Sequence, residues 1–137
     1  GLPQAILAVV LLCVSRSSSG ATYPSPERTL TVRKRFWRPD ENPTHVVKIG
    51  STCTLSPGFG YSAMGEVFYN SWLMYFDWLS ASQHGVQVGG NNYSVELVLI
   101  DDHSSKPSVE WATNHMIQQE SIDIFMATYT SGLSRAM

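Results

Sequence analysis

Tyr93-Ser94-Val95-Glu96-Leu97-Val98-Leu99-Ile100-Asp101-Asp102-His103-Ser104-Ser105 is the stretch that decides the fold class. It alternates polar and apolar residues at first and is wholly apolar from Leu97 to Ile100. A short β-branched run of this kind suits a strand that passes from an exposed end into a sheet covered on both faces. Two carboxylates, a histidine and two hydroxyls follow at its carboxyl end. Ser104 or Ser105 can cap the next helix, with Pro107 in its first turn. That helix carries Val109, Ala112, Met116 and Ile117 on one stripe and runs to about Glu120.

The same order recurs on either side. Upstream, Val46-Val47-Lys48-Ile49-Gly50-Ser51 is short, β-branched and mostly apolar, and predicts a buried strand. Ser56-Pro57-Gly58-Phe59-Gly60 makes a glycine-rich turn. From Ser62 a helix is expected, with Met64, Val67, Phe68, Ser71, Trp72, Tyr75, Phe76 and Leu79 on one broad face. His84-Gly85 ends it, Gly85 being available for the left-handed position past the helix, and Gly89-Gly90-Asn91-Asn92 is a turn cluster. Downstream, Ile122-Asp123-Ile124-Phe125-Met126-Ala127 predicts a third buried strand, and Tyr129-Thr130-Ser131-Gly132 leads into a third helix.

Strands alternating with amphipathic helices imply right-handed βαβ crossovers, hence an α/β fold whose parallel sheet has helices on both faces. Ligands in such sheets bind outside the carboxyl ends of the strands. That rule selects three loops, Leu55 to Tyr61, Asp101 to Ser105 and Thr128 to Gly132, all rich in glycine, hydroxyls or carboxylates.

The flanks and the composition narrow the class. The 137 residues carry a net charge of −2, and the nine basic residues are scattered, so no footprint for nucleic acid exists. Apolar and charged fractions of 43% and 15% describe a globular chain. Ala5 to Val14 is a ten-residue apolar run, too short to span a bilayer. Ser19-Gly20-Ala21 after it has the form of a signal-peptidase site, so residues 1–21 are expected to be a signal peptide and the protein secreted or displayed at the cell surface. Residues 22–44, with Pro24, Pro26, Pro39 and Pro43 and a basic stretch from Arg28 to Arg38, read as a poorly ordered linker. Residues 45–137 are then part of a lobe belonging to a longer protein. With the signal removed, Cys53 is the only cysteine, and either seeks a partner elsewhere or serves as a small buried hydrophobe.

At the three loops the chain resembles the type I periplasmic-binding family, in particular the branched-chain amino-acid receptor type and the related ligand-binding regions of eukaryotic receptors. The matching stretches are Val47-Lys48-Ile49-Gly50 with Leu55-Ser56-Pro57-Gly58, Val95 to Asp102, Ser108-Val109-Glu110-Trp111-Ala112 through Ile117-Gln118-Gln119-Glu120-Ser121-Ile122-Asp123, and Tyr129-Thr130-Ser131-Gly132. They cover about residues 45 to 134. The resemblance implies a partial first lobe of a two-lobed clamshell that closes on an amino acid or similar solute, without chemistry and without a cofactor. It assigns the solute's carboxylate to hydroxyl and N–H groups of the third loop, here Thr130 and Ser131 beside Tyr129. Ser56 and the aromatic walls Phe59 and Tyr61 of the first loop would line the same cleft. The sequence departs from the family where Ala127-Thr128 replaces its usual Gly-Pro, and in its strongly aromatic first helix. Aromatics beyond that helix's inward face either pack in the core or cover a second copy in a homodimer. A membrane anchor downstream belongs to the receptor form.

Sharper chemistry finds little support. Asp101 and Asp102 are neighbours on a strand and point to opposite faces, so a structural, turn-capping role is expected in place of a metal site. No histidine spacing fits zinc, no GxSxG elbow surrounds Ser56 or Ser131, and Gly58, Gly60 and Gly65 lack dinucleotide spacing. No catalytic residue is assigned. The competing class is a doubly wound, hydrolase-like enzyme sharing only the fold. Asn92-Tyr93-Ser94 is a glycosylation sequon, usable in a eukaryotic secretory route.

Overall fold

The computed structural model describes residues 29–37 and 45–137. The expected signal peptide lies outside the described residues, as does most of the expected linker. Among the described residues five strands and three α-helices follow in chain order: β1 (Thr31–Phe36), β2 (Val46–Cys53), α1 (Ser62–Gln83), β3 (Val86–Val88), β4 (Asn91–Asp101), α2 (Lys106–His115), β5 (Ile124–Phe125) and α3 (Ser131–Ser134), with a π-helical turn at Met116–Glu120 extending α2.

The sheet order is β1-β4-β2-β5, with β3 pairing β4 outside that path. β2 runs parallel to both β4 and β5. The β2–α1–β4 and β4–α2–β5 crossovers expected from the alternation are therefore present. The sheet is nevertheless mixed, because β1 and β3 both lie antiparallel to β4. This corrects the expectation of a parallel sheet.

β1 arises inside the stretch expected to be a poorly ordered linker. Its sequence TVRKRF alternates, and Val32 and Phe36 are buried against the sheet's core. The charges between them are paired. Lys34 bridges to Asp77 of α1 at 3.3 Å, Arg35 reaches Glu96 on β4 at 3.1 Å, and Arg33 pairs with Glu120 at the end of the π-helical turn. The basic residues that suggested solvated chain are thus the face-specific anchors of an edge strand.

β3 and β4 form a hairpin, Val88 pairing with Asn91. Gly89 and Gly90, at φ 57° and 85°, occupy its two-residue loop, where a primed turn demands positive φ at both positions. Asn91 and Asn92, expected in the turn, already belong to β4.

The two faces of β4 feed two cores. Val95, Leu97 and Leu99 join Val32, Phe36 and Ile49 beneath α1, while Ile100 packs with Ala112 and Met116 of the opposite layer. The inward face of α1 is Gly65, Tyr69, Trp72, Leu73, Phe76 and Leu79. Met64, Val67 and Tyr75, expected to face inward, are 45%, 63% and 53% exposed. The helix is apolar on two sides, so hydrophobic spacing alone did not identify the buried one. Close approach did: a Cβ on Gly65 would collide with the Thr54 carbonyl. α1 ends with His84 in the left-handed region, one residue before the expected Gly85, which is left-handed too. α2 starts after Ser105 with Pro107 in its first turn, as expected, although Ser105 holds the cap position without a side-chain hydrogen bond to the helix.

Candidate functional site

The carboxyl ends of β2 and β4 and the segment after β5 lie side by side, and the three selected loops meet there. The meeting is built on the carboxylates that close β4. Asp101 and Asp102 are both fully buried, and each accepts hydrogen bonds from a different set of partners.

Asp101 organises the first loop. Its Oδ1 accepts the Leu55 N–H at 3.1 Å and the His103 N–H at 3.0 Å, and its Oδ2 accepts the Ser56 N–H at 3.0 Å. Ser56 Oγ also donates to Oδ2, and His103 Nε2 stands 3.4 Å from it. The turn that follows is closed by Ser62, whose hydroxyl accepts the Phe59 N–H at 2.9 Å and lies 2.9 Å from the Ser56 carbonyl.

Asp102 ties the three loops together. Its Oδ1 accepts the Thr54 hydroxyl at 2.6 Å, the Ser104 N–H at 2.9 Å and the Tyr129 hydroxyl at 3.2 Å. The Tyr129 and Thr54 hydroxyls also lie within hydrogen-bond reach of each other, but with one proton apiece they cannot bond to one another while both donate to Asp102. The Tyr61 N–H donates to Ser104 Oγ at 3.0 Å. One carboxylate oxygen thus gathers a β2 end, a β4 loop and the third loop. Among the described residues Asp102 Oδ2 has no hydrogen-bond partner, nor does Thr128 Oγ1.

Aromatic rings cover this network. Tyr129 meets Tyr61 and Phe68 edge to face, each at 5.8 Å between centroids. Phe59 meets His103 at 4.9 Å. Phe59 and Tyr61 remain 43% and 42% exposed, and so form the accessible rim. Burial pushes the Tyr129 phenol up to about 12, with the Asp102 charge adding to the rise against the Thr54 hydrogen bond, so the hydroxyl stays protonated as a donor. Burial also pushes the Cys53 thiol up to about 12, aided by the charges of Asp102 and Asp101. Cys53 is fully buried and its Sγ donates to the Gly65 carbonyl at 3.1 Å, which is the small-hydrophobe role of the two left open.

The predicted site residues are not equally placed. Phe59, Tyr61 and Tyr129 come together at the rim. Ser56 lies at the same end, yet its hydroxyl is committed to Asp101. Thr130 Oγ1 accepts the Leu133 N–H at 3.2 Å and is the cap of α3, a helix of four residues, while Ser131 is exposed at its start. Asn92 is exposed on the β3–β4 hairpin, far along β4 from these loops. Thr54, Asp102, Ser104 and Phe68 were missed as site residues. The signal for Thr54 and Asp102 was position, each falling at or just past the end of a parallel strand.

Comparison of the chain with protein-family models, with curated protein sequences and with solved structures gives no match.

Proposed function

We propose that this chain is a solute-binding lobe that holds an amino acid or similar small molecule at the carboxyl rim of its sheet and does no chemistry on it. The observation that carries this reading is the gathering of the β2 end, the β4 loop and the third loop on Asp102 Oδ1, beside exposed aromatic rings. Open α/β sheets place ligands at this edge, and a few fixed polar groups among aromatic walls is the usual make-up of a small-molecule site. Among the described residues no cluster of three or more His, Cys, Asp or Glu could hold a metal ion. The lobe belongs, in this proposal, to a clamshell of the type I periplasmic-binding kind that is secreted or displayed at the cell surface behind the signal peptide of residues 1–21. Phe59, Tyr61 and Tyr129 line the site; Ser56, Thr130 and Ser131 shape the loops that carry them.

Calorimetric titration of the 137-residue chain with the common amino acids tests the proposal. Saturable binding that weakens in Tyr129→Phe is the expected result. A panel without any saturable binder would overturn it.

A further inference from the structure

The polarity of the rim is unusual for a site expected to take a carboxylate. Its charged groups are two buried carboxylates, and one of them, Asp102, keeps an oxygen without a hydrogen-bond partner. A buried carboxyl oxygen left without a partner is costly, and a donor or positive charge beside it relieves that cost. Among the described residues, no lysine or arginine side chain hydrogen-bonds or stacks at the rim; Lys106 and Arg135, both exposed, flank it directly after Ser105 and after α3. The basic residues of β1 are paired elsewhere, with Glu120, Asp77 and Glu96. Lys48 reaches the Glu120 carbonyl at 3.1 Å, at the opposite end of the sheet.

The accessible surface above the carboxylates is aromatic. Phe59 and Tyr61 are exposed, and Tyr129 and Phe68 stand edge to face behind them. Aromatic faces carry negative potential and attract cations within about 6 Å of the ring centroid. The negative field already acts on two neighbours, since the Asp102 charge adds to burial in raising both Tyr129 and Cys53. An anion set against Tyr129 would meet the same opposition.

We infer that this rim takes the positively charged end of its solute, an ammonium or quaternary ammonium group held over the Phe59 and Tyr61 rings above Asp102. The inference rests on the solute-binding reading and reverses the polarity that the family resemblance implied.

Three probes of matched shape separate the cases: choline, its uncharged carbon isostere 3,3-dimethylbutan-1-ol, and the anion 3,3-dimethylbutanoate. Each is titrated into the isotope-labelled 137-residue chain and followed by amide chemical shifts. Choline is expected to bind about fivefold tighter than the isostere, with shifts at Phe59, Tyr61 and Tyr129, and the anion weakest of the three. Tyr61→Leu, which removes one ring face, should lower the affinity for choline more than that for the isostere, so that the fivefold preference narrows; an undiminished preference would overturn the inference. Equal affinities, a preference for the anion, or failure of choline where an amino acid binds would each overturn the inference while the solute-binding reading stands. Failure of all three probes and of every amino acid would remove both.

Discussion

The Tyr129 hydroxyl donates to Asp102 Oδ1 at 3.2 Å and so joins the segment after β5 to the end of β4, 27 residues earlier in the chain. This contact depends on β2 lying between the two strands, because Thr54, just past the end of β2, donates to the same Asp102 oxygen at 2.6 Å. The site is therefore a consequence of strand order: three loops remote in sequence share one carboxylate oxygen because their strands are neighbours.

Tyr129→Phe keeps the ring packing against Tyr61 and Phe68 and removes the hydroxyl. A loss of about 1 kcal/mol in unfolding free energy is expected from urea denaturation, the usual net worth of such a bond. An unchanged midpoint would show that the hydroxyl contributes nothing to holding the loops together.

Asp101→Ala strips the acceptor from the Leu55, Ser56 and His103 N–H groups at once and leaves buried donors without partners. The expected cost is about 3 kcal/mol or more, with amide protection lost from Leu55 and Ser56 in hydrogen exchange. Retained protection at both residues would contradict the anchoring role.

Gly65→Ala places a Cβ against the Thr54 carbonyl, and backbone cannot yield as a flexible side chain can. It should cost about 1–3 kcal/mol by overpacking. Gly132→Ala, with nothing near its Cβ, is the control and should stay close to wild type. Equal effects of the two would show that α1 does not approach β2 as described.

Stability should fall on the alkaline side. Cys53 and Tyr129 have ordinary values of 9.0 and 10.0, and both are raised to about 12 in the folded protein. The unfolded chain therefore loses these protons first as pH rises. Their contribution is complete below about pH 9 and is progressively lost up to about pH 12. Denaturation midpoints across that window should decline, and Cys53→Ala should flatten the early part of the decline. A midpoint independent of pH there would show that neither group is shifted.

Asn92 lies exposed on the hairpin with Ser94 completing its sequon. Expressed through a eukaryotic secretory route, the protein should lose mass on glycosidase treatment, and Asn92→Gln should abolish the difference. Unmodified Asn92 in secreted material would remove the modification from the account.

The β2–α1–β4 path was legible in the sequence because burial writes a continuous apolar run, as in Leu97 to Ile100. The third buried strand expected over Ile122 to Ala127 is corrected to a two-residue strand, Ile124–Phe125, at the sheet edge, with both side chains exposed. The three loops followed from strand polarity alone. β1 was not legible, since its three consecutive basic residues mimic solvated chain and only the long-range partners Asp77, Glu96 and Glu120 reveal a strand. The inward face of α1 was mistaken because Met64, Val67, Tyr75 and Trp78 form a second apolar side, exposed in this chain. In the site, the aromatic residues could be chosen from their loops. The commitments of Ser56 to Asp101 and of Thr130 to its own helix depend on distances that no spacing rule supplies.

The most direct measurement is an amide chemical-shift map of the 137-residue chain during titration with the amino acid that binds best by calorimetry. The account predicts shifts confined to the segments 54–61, 101–105 and 128–131, with the β3–β4 hairpin unmoved. Shifts confined to that hairpin or to β1, with Tyr61 and Tyr129 unmoved, would contradict it.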